Sequence, residues 1–220
     1  MSPQLAFDPT LYLVVGGDAV RGRAVADVVA AAVRGGVTLV QLREKTLPDA
    51  EVIASARALI ELLTPLGIPL IVNDRVEVAI AAGAAGVHLG QDDVHAGRAR
   101  SLLGPDGIVG VSAGTPAEVA TVSAALSDYV GVGSVFPTAS KADAGAAIGI
   151  AGLRALQARL PLPVVAIGGI HAGNVAEVAA TGVAGVAVVS AICGADDPED
   201  AARSLRQAIA AGRTIGQNAR

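Results

Sequence analysis

Short apolar runs and longer amphipathic stretches alternate along the whole chain. The runs are Leu11–Val15, Thr38–Leu42, Pro69–Val72, Gly86–Leu89, Ile108–Ser112, Tyr129–Gly133, Val164–Ile167 and Val183–Val189. Each is short and rich in Val, Ile or Leu, the pattern of a buried parallel strand. Between them the apolar spacing turns helical, for instance over Asp49–Leu63, Pro116–Ala125, Ile150–Arg159 and Val175–Thr181. A last helical pattern, Pro198–Ala211, opens Pro-Glu-Asp, with acids at the positive end of the helix dipole. Eight strands, each followed by a helix and with no domain-sized break, predict an α/β fold: one closed (β/α)₈ barrel over residues 1–220, with 1–9 and 212–220 as flexible ends. An open doubly wound sheet is the structural competitor. It would carry its glycine fingerprint after the first strand, and Gly16-Gly17-Asp18 lacks that spacing. The pairs Gly35-Gly36, Ala82-Gly83 and Thr181-Gly182 precede strands and read as helix stops at the bottom of the barrel.

Composition narrows the picture. The chain is 52% hydrophobic but 2% aromatic, so the core is expected from Ala, Val, Leu and Ile. No apolar run approaches the roughly 20 residues that span a bilayer, which argues against a membrane protein. Met1–Thr10 lacks the basic-then-apolar order of a signal peptide. The lone Cys193 cannot form an internal disulfide and reads as a small packed residue, consistent with a cytoplasmic location. Net charge is −4 with acids and bases interspersed, so the basic stripe that nucleic acid would require is missing. Self-association into a homo-oligomer stays open.

In a parallel barrel all strands point one way, and chemistry gathers at their C-terminal ends. The third run ends in Asn73-Asp74-Arg75 and the fourth in Gly90-Gln91-Asp92-Asp93. Neighbouring strand ends bring Asp74 and Asp93 within reach of one divalent cation, Mg²⁺ above all, holding a phosphorylated small-molecule substrate. Taken alone, Asp74 would read as a helix cap, and Asp92 as a turn residue or a partner of Asp93. His88, inside its strand, reads as core. After the second run come Gln41, Arg43 and Lys45, which alternation sets on one side with Leu42 on the other. An Arg fork and a Lys point charge suit phosphate oxygens. Ser112 ends the fifth run and is expected to have no His near it to make it a nucleophile, so it is cast as a hydrogen-bond donor to an anion. Thr115 before Pro116 reads as a helix N-cap. The sixth run leads to Thr138, Ser140 and Lys141, a phosphate cradle followed by a Gly/Ala-rich stretch suited to a flap. Gly169 after the seventh run, and Val189-Ser190 after the eighth, occupy the standard phosphate-binding loops of this fold.

The words QLREK, VNDR, GVHLGQDD, GVS, VFPTASK and AIGGI, in this order, resemble the thiamine-phosphate synthase family from Leu11 to Leu205. The resemblance implies a (β/α)₈ barrel transferase that joins a pyrimidine methyl diphosphate to a thiazole ethyl phosphate. It implies Mg²⁺ held by Asp74 and Asp93. It also implies that Gln41, Arg43, Lys45, Asn73, Ser112 and Lys141 meet the pyrimidine diphosphate, with Arg43, Lys45, Ser112 and Lys141 as the catalytic set. Thr138, Ser140, Gly169, Val189 and Ser190 would meet the thiazole phosphate. The chain departs from the family in four places: Gly114 stands where a His is frequent, Ser134 where Pro is common, Ser140 where Thr is frequent, and Gly16-Gly17 where Thr-Asp is usual. Two other functions compete: a related thiazole tautomerase, and a barrel that binds thiamine precursors without turnover. The first has a His at position 114 and lacks the GQDD word; the second has no use for Asp74, Asp93 and Lys141.

Overall fold

A computed structural model describes residues 7–138 and 145–218. Eight parallel strands close into a barrel in sequence order: β1 (Leu11–Val15), β2 (Leu39–Leu42), β3 (Leu70–Asn73), β4 (Gly86–Leu89), β5 (Ile108–Ser112), β6 (Tyr129–Val132), β7 (Val164–Ile167) and β8 (Gly185–Val188), with β8 returning to β1. The helices α1 (Val25–Arg34), α2 (Asp49–Leu63), α3 (Val76–Ala82), α4 (Ala96–Leu103), α5 (Pro116–Val119), α6 (Gly149–Gln157) and α7 (Val175–Ala179) each follow a strand. A one-turn helix, α8 (Ser190–Cys193), precedes the long α9 (Pro198–Asn218).

Strand alternation divides the apolar residues into two cores. Outward-facing Leu11, Leu13, Val40, Leu42, Val72, Val87 and Val130 pack under the helices. Inward-facing Tyr12, Val14, Leu39, Ile71, Tyr129, Val165 and Ala187 fill the barrel. The inner core therefore holds the only two tyrosines of a chain with almost no aromatics. Glycine makes room for Tyr129 and for the neighbouring His88. A Cβ on Gly110 would lie 2.2 Å from Tyr129 Cζ, and one on Gly131 would lie 3.0 Å from His88 Cε1.

Two helix ends differ by more than two residues from the pattern-based expectation. Helix α5 stops at Val119 rather than Ala125, because the chain beyond closes turns, Val122 N–H on Val119 O and Leu126 N–H on Ser123 O. Helix α9 runs on to Asn218, so residues 212–218 are not a loose end. Gly212 is buried, and Arg213 donates to Thr10 Oγ1 and the Ala184 carbonyl. At the other end Phe7 packs on Tyr129 and Pro9 is buried. Cys193 is buried and reduced, and burial pushes its thiol up to about 11, so it is an unreactive packing residue. Among the described residues no helix is long and apolar enough to cross a membrane.

Candidate active site

The C-terminal strand ends gather the predicted polar residues on one face. The end of β2 carries Gln41 into the barrel interior, where Nε2 donates to the Tyr12 hydroxyl at 2.7 Å, while Leu42 turns outward. Beyond it, Arg43 is half-buried and its N–H closes on Val15 O. Lys45 Nζ lies 2.6 Å from Asp74 Oδ2 on the neighbouring loop.

Asp74 is not a helix cap. The N-cap of α3 is Arg75, without a side-chain cap bond, and Asp74 stands at φ 63°, in the left-handed region. Its N–H donates to the carbonyl of His88, which ties the end of β3 to β4 and turns the carboxyl toward Lys45 and Asp93. Asp93 Oδ2 accepts the Gly90 N–H at 2.6 Å, so Asp93 rather than Asp92 shapes the turn after β4. The two carboxyls are close enough for each to shift the other's proton affinity. Burial pushes Asp74 up, but the neighbouring Asp93 carboxyl and the Lys45 ammonium outweigh it and hold Asp74 below the usual carboxylate range. For Asp93, burial and then the Asp74 carboxyl act together, and its proton is held more firmly. Such a split is the mark of two acids crowded into one site. Among the described residues no group of three or more Asp, Glu, His or Cys that could hold a metal stands together.

One buttress was not legible from the sequence words. Arg75 donates to the carbonyls of Leu47 and Lys45 and to Asp49 Oδ1, which fastens the β2 loop to β3 and fixes the backbone that carries Lys45. The signal was the Arg directly after Asp74; only the folded loop shows what it reaches. Asn73 ends β3 opposite His88. Ser112 ends β5, with its carbonyl accepting Gln91 Nε2. Against the expectation that no histidine stands near it, its hydroxyl is 2.9 Å from His88 Nε2, because β4 and β5 pair side by side. Thr115 is the N-cap of α5, as expected, accepting the Glu118 N–H.

On the opposite rim, the loops after β6, β7 and β8 lie side by side. Gly169, at φ 64°, runs beneath the β6 loop, where a Cβ would meet Pro137 O at 2.5 Å. Asn174 holds the β7 loop shut by donating to Gly169 O and accepting the His171 N–H. Val189 precedes α8, and exposed Ser190 opens it. Thr138 is half-buried at the end of the described β6 loop; Ser140 and Lys141 lie outside the described residues.

The architecture defines a class: a (β/α)₈ barrel whose polar chemistry is collected at the C-terminal ends of its strands. Comparison with known proteins narrows it. The sequence profile of the family described as thiamine monophosphate synthase matches residues 11–192. A thiamine-phosphate synthase of Xanthobacter autotrophicus is 54% identical over 207 residues, covering 94% of this chain and 98% of its own. One from Moorella thermoacetica is 47% identical over 203 residues, covering 92% and 97%. A solved thiamine phosphate pyrophosphorylase from Pyrococcus furiosus superposes with a TM-score of 0.84 at 36% identity, covering 93% and 97%. The chain belongs to the thiamine monophosphate synthase family and is a transferase of thiamine biosynthesis.

Proposed function

We propose that this chain is a thiamine-phosphate synthase that condenses 4-amino-2-methyl-5-pyrimidinylmethyl diphosphate with 4-methyl-5-(2-phosphoethyl)thiazole, releasing diphosphate. The observation that carries this reading is the meeting of Lys45, Asp74 and Asp93 from three successive strand ends, facing a rim of anion-suited loops. The reaction breaks the bond between the pyrimidine methylene carbon and diphosphate, whose oxygen leaves with the electron pair. The thiazole nitrogen supplies the pair for the new carbon–nitrogen bond. No proton need leave the nucleophile, so no strong base and no Ser–His pair is required.

The carboxylate pair fits Mg²⁺. It offers hard oxygen donors only, and a cation held there would offset the burial and the crowding by Asp74 that together raise Asp93. Asp74 and Asp93 would hold it, and it would neutralise charge building on the leaving diphosphate. Arg43 and Lys45 bind that diphosphate from the β2 loop, joined by Asn73, Gln41 and Ser112 for the pyrimidine. Lys141 belongs to the same set on its sequence word. Gly169, Val189 and Ser190, with Thr138 and Ser140, orient the thiazole through its phosphate, largely with backbone N–H groups.

The GQDD word at 90–93 speaks against the tautomerase alternative, and Gly114 removes the histidine that relative uses. A Cβ there would lie 2.6 Å from Gly133 O, so this backbone has no room for a histidine at that position. Turnover separates a purely binding barrel from a synthase: diphosphate release that requires both substrates and Mg²⁺ is expected, and release that fails with all three present overturns the synthase reading. The two cups are separable. Ser190→Asp puts negative charge at the start of α8 and is expected to raise KM for the thiazole phosphate at least tenfold more than KM for the diphosphate, as steady-state kinetics would measure. Equal weakening of both substrates means that the cups are wrongly assigned.

A further inference from the structure

Inside the barrel, five polar side chains from five strands form one continuous hydrogen-bonded row. Gln41 Nε2 donates to the Tyr12 hydroxyl at 2.7 Å, and that hydroxyl lies 2.9 Å from the hydroxyl of Tyr129. The Tyr129 hydroxyl is 2.9 Å from His88 Nδ1, and His88 Nε2 is 2.9 Å from Ser112 Oγ. Gln41, Tyr12 and Tyr129 are 4%, 1% and 0% exposed, so each hydroxyl relies on its neighbours in the row rather than on solvent. The row begins and ends at residues assigned above to the pyrimidine substrate; the three in the middle have no role in that assignment.

Counting protons gives the row a direction. An amide nitrogen only donates, so the Tyr12 oxygen accepts and its single proton goes to Tyr129. The single proton of Tyr129 then goes to His88 Nδ1, which must be bare to accept it. Burial pushes both phenols well above their usual range, so both keep the proton that the count requires. A neutral ring with bare Nδ1 carries its proton on Nε2 and donates to Ser112 Oγ. The Ser112 proton therefore does not go to His88 and is left for another acceptor.

We propose that His88 is a positioning residue: fixed by Tyr129 with its proton on Nε2, it fills the acceptor side of the Ser112 hydroxyl and aims the Ser112 proton at the pyrimidine substrate. This rests on the reading that Ser112 meets that substrate. The reverse polarity would need the Gln41 carbonyl against Tyr12, would put the histidine proton on Nδ1 and would spend the Ser112 proton on His88. A hydroxyl oriented before binding needs no reorganisation when substrate arrives, and this is where a buried polar row contributes more than its separate bonds. Its bulk is accommodated by glycine at 110 and 131, the positions where a Cβ would meet Tyr129 and His88.

The test combines a spectroscopic and a kinetic measurement on the full chain. Long-range proton–nitrogen correlation spectra of the ¹⁵N-labelled protein distinguish the two ring tautomers, and the His88 signals are those lost in His88→Gln, among three histidines in all. The Nε2-protonated form is expected; the Nδ1-protonated form or a doubly protonated ring overturns the proposal. In steady-state kinetics His88→Ala is expected to raise KM for the diphosphate substrate about tenfold, the scale of one misdirected hydrogen bond, with KM for the thiazole unchanged. His88→Gln, whose amide can still donate to Ser112, is expected to recover most of that loss. Equal loss in both variants would mean that the ring only packs, and the proposal falls. Should His88→Ala fail to fold, Tyr129→Phe decides: loss of that one hydroxyl is expected to mix the tautomers and raise the same KM, and an unchanged spectrum overturns the proposal. Ser112→Ala separates this inference from the reading beneath it. No effect on the diphosphate KM removes Ser112 from the substrate site and the role of His88 with it, whereas an effect there with none in His88→Ala overturns the positioning role alone.

Discussion

Asp74→Asn and Asp93→Asn each lower turnover about 100-fold or more while leaving the barrel folded, the scale of losing one preorganised electrostatic group. The expectation follows from the crowding of the two carboxyls at adjacent strand ends beside Lys45. Asn is the right probe at both positions. At Asp74 the backbone sits at φ 63°, which Asn tolerates and Ala does not, so Asp74→Ala would mix backbone strain with loss of charge. At Asp93 the amide oxygen of Asn can still accept the Gly90 N–H. At Asp93 alone, stability should move the other way from activity. Asp93 has a folded-state pKa above its unfolded value, so the native state binds its proton more tightly. The group therefore loses stability as pH rises from the ordinary carboxylate range through the raised value. With metal chelated, Asp93→Asn is expected to melt at or above the wild-type temperature at neutral pH, with the advantage shrinking as pH falls into that range. Near-normal turnover in both variants without excess Mg²⁺ rules out a shared cation. A marked drop in melting temperature would show that the pair serves the fold instead.

Gly110→Ala destabilises the protein by about 3 kcal/mol, the upper range for overpacking a filled core. The added methyl would lie 2.2 Å from Cζ and 2.4 Å from the hydroxyl of a fully buried tyrosine held by bonds on both sides. Tyr129 cannot step aside without leaving Tyr12 and His88, and the strand cannot step aside without breaking its pairing to β4 and β6. For a chain of this size the melting temperature should fall by about 6–12 °C in a thermal unfolding scan. Combining it with Tyr129→Ala gives a sharper check. The two changes share one volume, so the double variant is expected to be less destabilised than the sum of the singles. Strict additivity would mean that Gly110 is required by backbone geometry and not by the ring.

The strands were legible because buried parallel strands carry a local signal, short Val-, Ile- and Leu-rich runs between helix-period segments. Four of the eight runs, Leu11–Val15, Gly86–Leu89, Ile108–Ser112 and Val164–Ile167, coincide with observed strands to the residue. The helix after β5 was overextended because Val122 and Leu126 continue an apolar spacing while the backbone has already turned. The mouth of the barrel was legible for a different reason: parallel strands make the C-terminal end of every run a neighbour of the next. That is how Asp74 could be set beside Asp93 across 19 residues of sequence.

By itself the sequence determined the closed barrel, which face carries the chemistry, and the family through its words at the strand ends. Periodicity and motif spacing are local, and the right-handed crossover turns them into an arrangement. Only the tertiary structure decided which polar groups answer each other. Asp74 is turned from a cap to the mouth by its left-handed backbone and its bond to the β4 carbonyl, neither of which a residue type announces. His88, which its strand position alone assigns to the core, is joined to Tyr129 and Ser112 where β5 and β6 present glycine to Tyr129 and to His88 itself. Hydrogen-bond direction is a property of the whole row, set by a proton count that begins at Gln41, and no segment of the chain contains it.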